Sequence, residues 1–226
     1  MDKNKPDFTN ISLGMELCEF IGIIIGDGCI DGYKTKNNIF KYHISISGHS
    51  DLDKDYLTNK IPNMIYKLFH KKVNWLYKKD TNSIVINIYS KDIFNLLVNR
   101  FEFKPGKKTY TTKIPQEIIS SKKDYIFATI RGIFDTDGNV FIDKRKMYKN
   151  GYPRITLKIA SKPLFNQVNK ILKQDFSVYT AIKIDPENRQ YYELVIYGSE
   201  QLKKWMKLIR FSNKKHLKKV LSLSGD

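Results

Sequence analysis

The sequence predicts an α+β protein built from two tandem αββαββα units related by pseudo-two-fold symmetry, each with an antiparallel sheet. Three observations carry this. An apolar run closing on Gly-Asp-Gly or Thr-Asp-Gly occurs twice, as FIGIIIGDG (Phe20 to Gly28) and IRGIFDTDG (Ile130 to Gly138). The same succession of helix-like and strand-like segments follows each copy. Equivalent anchors keep nearly one spacing: Asp27 to Asp137 is 137 − 27 = 110 residues, and Tyr89 to Tyr197 is 197 − 89 = 108. A repeat of that length is a duplicated unit, and 226 residues are enough for two of them.

The first unit is expected over residues 1–99. Leu17 to Ile25 is a short apolar helix. YHISIS (Tyr42 to Ser47) alternates strictly, with Tyr42, Ile44 and Ile46 on one face and His43, Ser45 and Ser47 on the other. DLDKDYLTNKIPNMIYKLF has helical spacing through Leu57, Ile61, Ile65 and Leu68, with Ser50 or Asp51 as its cap. VNWLYKK and SIVINIY are strands, and KDIFNLLV is a helix. Residues 100–122 form a basic linker containing FEFKPGKKTYTTKIP.

The second unit, residues 123–210, runs through the same series. Tyr125 to Phe134 is the apolar helix, and NVFIDKRKMY and YPRITLKIA are strands joined at Asn150-Gly151, a strong hairpin signal. KPLFNQVNKILK is a helix, SVYTAIKI and YYELVIY are strands, and SEQLKKWMKLI is a helix. Residues 211–226 are a basic tail whose NKKHLKKVLSL reads as an amphipathic helix packed on or near the second unit.

A net charge of +17 points to a polyanionic partner, with nucleic acid ahead of an anionic membrane surface. Hydrophobic content of 41% and aromatic content of 13% describe a folded chain. The two cysteines, Cys18 and Cys29, and the four histidines have no zinc-ligand spacing, and the cysteines read as reduced packed side chains. No leader-like apolar region or membrane-length run is evident, so a soluble intracellular protein with no membrane partner is expected. The Lys, Asn, Ile and Tyr bias suits an AT-rich genome, in an archaeal or bacterial cytoplasm or an organelle.

Alternation decides where the charge lies. In RITLKIAS the polar set is Arg154, Thr156, Lys158 and Ala160, against Ile155, Leu157 and Ile159. In SIVINIY, Ile84, Ile86 and Ile88 oppose Ser83 and Asn87. A sheet with one face under helices and one solvated produces this pattern. The open face then carries His43, Ser45, Lys78, Asn87, Arg145, Arg154, Thr156 and Lys158, and Lys34, Lys36 and Lys41 complete the expected DNA-binding set. Such a face suits a DNA groove, where Lys and Arg neutralise phosphate and Asn and Arg read base edges.

FIGIIIG is apolar all round, which fits a helix buried on every side. Gly22 and Gly26 share one face, and Gly132 and Thr136 repeat the spacing, so two such helices can approach closely. Pairing them brings Asp27 to Asp137. Carboxylate repulsion and two negative helix ends would oppose that meeting unless a divalent cation joined it, and hard oxygen ligands select Mg²⁺ or a similar ion. Metal-assisted attack on a phosphodiester is the corresponding chemistry. DTDGNVFIDKRK also begins like a calcium loop, but Lys146 stands where a glutamate is required.

The two stretches resemble the paired motifs of the LAGLIDADG homing endonucleases in their single-chain, two-motif form. The resemblance implies that the motif helices form the central interface and that the sheets make a saddle over double-stranded DNA. It implies that Asp27 and Asp137 bind the catalytic metals, two or more Mg²⁺ or Mn²⁺ ions, with help from the carbonyls of Gly26 and Thr136. It also implies basic or polar residues around the metals, for which His49, Lys162, Lys107 and Lys108 are the candidates by position. Ile25 departs from the aspartate common at its place, and Arg131 is unusual for a packed position and is expected at the rim.

The function expected is a monomeric, site-specific DNA endonuclease acting on a long asymmetric target, with no obligate protein partner. The alternatives are an intron RNA maturase on the same scaffold and a non-catalytic DNA-binding regulator, which would be expected to lack a motif aspartate. An intein is disfavoured, since the chain starts at Met1 and shows no flanking splicing module.

Overall fold

The computed structural model describes Phe8, residues 11–145, Met147 and residues 151–222. Lys146, Asn150 of the expected hairpin turn and residues 223–226 of the tail lie outside the described residues. In the first unit the order is α1 (Met15–Ile25), β1 (Gly28–Lys34), β2 (Phe40–His49), α2 (Ile61–Phe69), β3 (Asn74–Lys78), β4 (Ser83–Tyr89) and α3 (Lys91–Asn95). A short α4 (Gln116–Ile119) follows. The second unit is α5 (Lys123–Thr136), β5 (Gly138–Asp143), β6 (Tyr152–Ile159), α6 (Lys162–Leu172), β7 (Val178–Ile184), β8 (Gln190–Tyr197) and α7 (Ser199–Leu208), and α8 (Lys214–Leu221) closes the chain. No helix among the described residues is long and apolar enough to cross a membrane.

The two sheets have the same topology, β1-β2-β4-β3 and β5-β6-β8-β7, antiparallel throughout. Ile44, Ile46, Ile86 and Ile88 of the first sheet, and Val140, Ile155, Leu157 and Ile196 of the second, are buried beneath helices. Tyr42 belongs to the covered face as its alternation predicts, with its ring edge-on to Phe94 of α3 at 5.2 Å. Trp205 of α7 is fully buried, and its ring meets Phe134 of α5 at 4.6 Å and Phe211 of the tail at 5.6 Å.

Every residue of α1 from Leu17 to Ile25 is buried, the apolar side chains as their all-round pattern requires and Glu19 in a pair with Arg131, and its main neighbour is α5. The two helices touch backbone to backbone. A methyl group on Gly22 would lie 2.2 Å from the carbonyl oxygen of Thr129, and one on Gly132 would lie 2.3 Å from that of Glu19. Gly26 repeats this one turn later against the Thr136 hydroxyl.

Two expectations need correction. The helix expected over residues 51–69 is not uniform: Tyr56–Lys60 are wound wider, with the Ile61 N–H reaching back to the carbonyl of Tyr56. Pro62 follows directly and has no N–H to give the preceding turn, which favours a local change of pitch there. Neither Ser50 nor Asp51 caps this helix; the Ser50 hydroxyl bonds instead to Asn82 at 2.6 Å. The tail helix packs against β5 of the second unit, as expected, and also reaches the first unit through Asp53 and Asp55.

Candidate active site

Each motif helix ends within two residues of its aspartate, α1 at Ile25 and α5 at Thr136, and the sheet begins immediately after it. Asp27 lies between α1 and β1, and Asp137 lies between α5 and β5. Because Gly22 and Gly132 let the helix axes close, the two carboxyl groups come near enough for each to act on the other's ionisation. Asp27 is half-buried and Asp137 opens onto a cleft of about 390 Å³ lined by Gly26, Lys108, Thr112, Lys158 and Ser161. Loss of hydration, followed by the charge of Asp137, pushes Asp27 up to about 7, with Lys215 opposing the shift. Loss of hydration also raises Asp137, against the pull of Lys108 and Lys215. A pair of oxygen ligands that resists carrying two negative charges is suited to a hard divalent cation. No group of three or more His, Cys, Asp or Glu side chains converges among the described residues. A divalent cation held here would take these two carboxylates with backbone carbonyls and leave positions for phosphate oxygens and water.

Two lysines complete the centre in a nearly symmetric way. The Lys108 ammonium donates to the carbonyls of Ile24, Ile25 at 2.7 Å and Gly26 at 3.0 Å, the open end of α1. The Lys215 ammonium donates to the carbonyl of Thr136 at 3.3 Å, the corresponding end of α5. Cations at the negative ends of helix dipoles are favourable, and these also answer the paired carboxylates. Loss of hydration lowers Lys108 to about 8, although Asp137 and Asp27 oppose the shift. The carbonyls of Gly26 and Thr136, expected to face metal, thus each already accept from a lysine, with a second lone pair remaining.

Lys215 was absent from the sequence-derived set, although the repeat could have located it. It follows Lys108 by 215 − 108 = 107 residues, close to the offset of the aspartates. Its placement depends on the first unit. Asp53 accepts from the Lys215 ammonium at 2.9 Å, from the Asn213 amide at 2.7 Å and from the backbone N–H of His49 at 3.1 Å. The linker makes the reciprocal crossing: Thr112 accepts from the Ser161 hydroxyl at 2.6 Å, and Ile114 exchanges two hydrogen bonds with Gln167. Each unit's trailing segment therefore leans on the other unit.

The remaining expected residues divide into groups. His49 ends β2, where its ring nitrogen accepts from the N–H groups of Asp51 and Leu52 at 3.2 and 3.4 Å. Lys162 opens α6 and Lys107 lies in the linker; both are exposed, without a hydrogen bond or ion pair among the described residues. Lys41, His43, Ser45, Asn87 and Lys78 occupy the open face of the first sheet by register. His43 bonds to Asn87 at 2.8 Å and stacks on Tyr89. Arg154, Thr156 and Lys158 occupy the open face of the second, with Lys158 over the ring of Tyr191.

Three placements differ from expectation. Arg145 is not a strand residue of the open face: β5 ends at Asp143, whose carboxylate holds both Arg145 and Arg154. Lys34 shares the alternation of Ile30 and so the covered face of β1, while Lys36 lies in the β1–β2 turn. Arg131, expected at the rim, instead ties the units together, donating to Glu19 at 3.0 Å and to the carbonyl of Ile209 at 2.6 Å.

The geometry gives a direct expectation for the lysines. Lys108→Met and Lys215→Met each remove a charged donor beside the carboxylates while leaving the open faces intact. Each variant is expected to slow DNA cleavage by about 10–100-fold with little change in DNA affinity. Single-turnover rates and binding isotherms separate the two effects, and an unchanged cleavage rate would exclude the lysine in question.

Comparison with known proteins places the chain. Residues 124–210 match the family model described as LAGLIDADG-like domain. The replication factor C small subunit of Methanocaldococcus jannaschii is 30% identical over 223 residues, covering 97% of this chain and 11% of that protein. The DNA polymerase of Thermococcus hydrothermalis is 28% identical over 160 residues, covering 71% of this chain and 8% of that protein. The chain thus spans about a tenth of these relatives, so the likeness is to a segment and their names describe the whole. Among solved structures, I-DmoI in complex with DNA and Mn shares the fold with a TM-score of 0.61 at 21% identity, over 89% of this chain and 99% of that one. I-LtrWI, a LAGLIDADG homing endonuclease bound to target DNA, matches with a TM-score of 0.61 at 11% identity, over 94% and 89%. With two motif helices closing on Asp27 and Asp137 and two sheets of one topology, the chain carries a LAGLIDADG-like domain over its second unit and shares across both units the fold of the I-DmoI and I-LtrWI structures.

Proposed function

We propose that the protein is a site-specific, divalent-metal-dependent endonuclease that cuts both strands of a long asymmetric DNA target as a monomer. The observation that carries this is the centre itself: two carboxyl groups and two ammonium groups gathered where the two motif helices end and the two sheets begin. The open faces supply the substrate surface, with Lys41, His43, Asn87 and Lys78 on one and Arg154, Thr156 and Lys158 on the other. Because those two sets differ residue by residue, each reads a different half of the target. Asp27 and Asp137 would hold Mg²⁺ or Mn²⁺, two or more ions, with the Gly26 and Thr136 carbonyls beside them. A divalent cation so held supplies Lewis acidity toward a phosphodiester oxygen. Lys108 and Lys215, fixed by helix carbonyls on either side, are placed to stabilise negative charge growing on each scissile phosphate.

The test is a plasmid library with a randomised insert, incubated with the protein and Mg²⁺, from which linearised molecules are sequenced. One long, non-palindromic consensus is expected, with no product in EDTA. Tight duplex binding without any linear product, at any divalent metal, would overturn the nuclease assignment.

A further inference from the structure

We propose that the C-terminal helix α8 is a second contact for the DNA backbone, separate from the sheet faces, holding phosphates that flank the cut. The proposal rests on reading the open faces as a DNA interface. Four of the eight residues of α8 are lysines, and the helix is fixed in one rotation. His216 is fully buried with its ring 4.8 Å from that of Phe211, and Leu217 and Val220 pack on the core. Positions 214, 215, 218 and 219 are thereby turned away from the core, as the helical period requires.

Facing this lysine edge across a cleft of about 590 Å³ are Leu52, Lys54, Asp55, Thr58 and Asn59 of the first unit. Lysines 54, 214, 215, 218 and 219 line the cleft against Asp51 and Asp55, and Asp55 is already paired with Lys214 at 3.2 Å. The excess positive charge is exposed at Lys54, Lys218 and Lys219. The Lys218 ammonium makes no hydrogen bond or ion pair among the described residues.

The position of the helix names the anion. Its inner end places Lys215 at the carboxylate centre, and Lys219 donates to the side chain of Asn139 at 2.8 Å. Asn139 is opposite Thr156 on the open face of the second sheet. The lysine edge therefore runs from the centre to the rim of a face assigned to DNA. Lys215 to Lys219 covers about 6 Å of helix axis, and a duplex strand presents a phosphate about every 3.4 Å along its own axis, so about two phosphates meet this edge.

The test uses binding, not cleavage: a labelled 30-base-pair duplex of arbitrary sequence, without metal, titrated across a range of salt concentrations. The Lys218→Ala/Lys219→Ala double variant is expected to flatten the slope of log K against log salt by about 1.8, and to weaken affinity most at low salt. Lys203→Ala/Lys207→Ala on α7 removes the same charge elsewhere and is expected to keep the wild-type slope. Lys54→Ala, across the cleft and outside α8, is expected to flatten the slope by about 0.9, so the idea remains testable if the α8 variant folds poorly. Equal slopes in the α8 variant and the α7 control overturn the proposal. A loss confined to a hairpin RNA probe, with the duplex unaffected, overturns it as well. Wild type that binds duplex but cuts no library member removes the nuclease assignment and leaves this contact standing.

Discussion

Asp27→Asn and Asp137→Asn are each expected to cut DNA cleavage by about 10³-fold or more while preserving affinity for the target. Asn keeps the shape and one acceptor oxygen but loses the charge proposed to hold a divalent cation. The two carboxyls share one centre, so loss of either affects both strands. The same variants should gain stability in metal-free buffer at pH 8. Asp27 has a folded-state pKa of about 7 against an ordinary value of 3.8, and a raised acid pKa is a cost that grows on deprotonation. In the wild type without metal, stability is therefore greatest below about pH 4 with respect to this group and declines as pH rises to about 7. Thermal melts should show the Asn variants above wild type at pH 8, with the gap closing near pH 4, and Mg²⁺ raising the wild type alone. Full cleavage by the double Asn variant, or stability that rises with added carboxylate charge, would refute the assignment of these residues.

Gly22→Ala and Gly132→Ala should produce the largest stability losses of any single-methyl addition in the chain. The added carbon would lie 2.2 Å from the Thr129 carbonyl oxygen in one case and 2.3 Å from that of Glu19 in the other. Neither obstacle is a side chain that can rotate away, so α1 and α5 must separate. A loss of about 3 kcal/mol each is expected, or about 10 °C in melting temperature. Moving the helices also parts Asp27 from Asp137, so metal affinity should fall even where the fold survives. Urea titration gives the first quantity and calorimetric Mg²⁺ titration the second. Gly14→Ala is the contrasting case, since a methyl there meets nothing within 4 Å, and it should be near neutral.

The duplication, the two aspartates and the glycine face were legible because each follows a local rule: period 3.6 in the helices, period 2 in the strands, and one offset between the copies. Lys108 was found among the linker cations, but its partner Lys215 was not. It lies in a tail that resembles an ordinary basic amphipathic helix, and only its crossing to Asp53 distinguishes it from Lys214 or Lys218. Arg131 was misplaced for a related reason. Within its own helix it looks too polar for the seam, and the buried Glu19 that receives it is 112 residues away in sequence. The change of pitch at Tyr56–Lys60 was readable in principle from Pro62, whereas the binding of both Arg145 and Arg154 by Asp143 depends on where β5 ends. Pairwise contacts across the fold carry no local period.

Asp53 has a consequence for recombining such proteins. The ammonium beside the end of α5 belongs to the second half of the gene, but its counter-charge is encoded in the first. A chimera that joins this second half to a foreign first half would inherit Lys215 without Asp53 unless the donor happened to supply a carboxylate at that place. The exchangeable cassette is therefore not the folded half but the half without its trailing segment, and the seam for grafting a new target-reading sheet lies before Phe211, not between the halves.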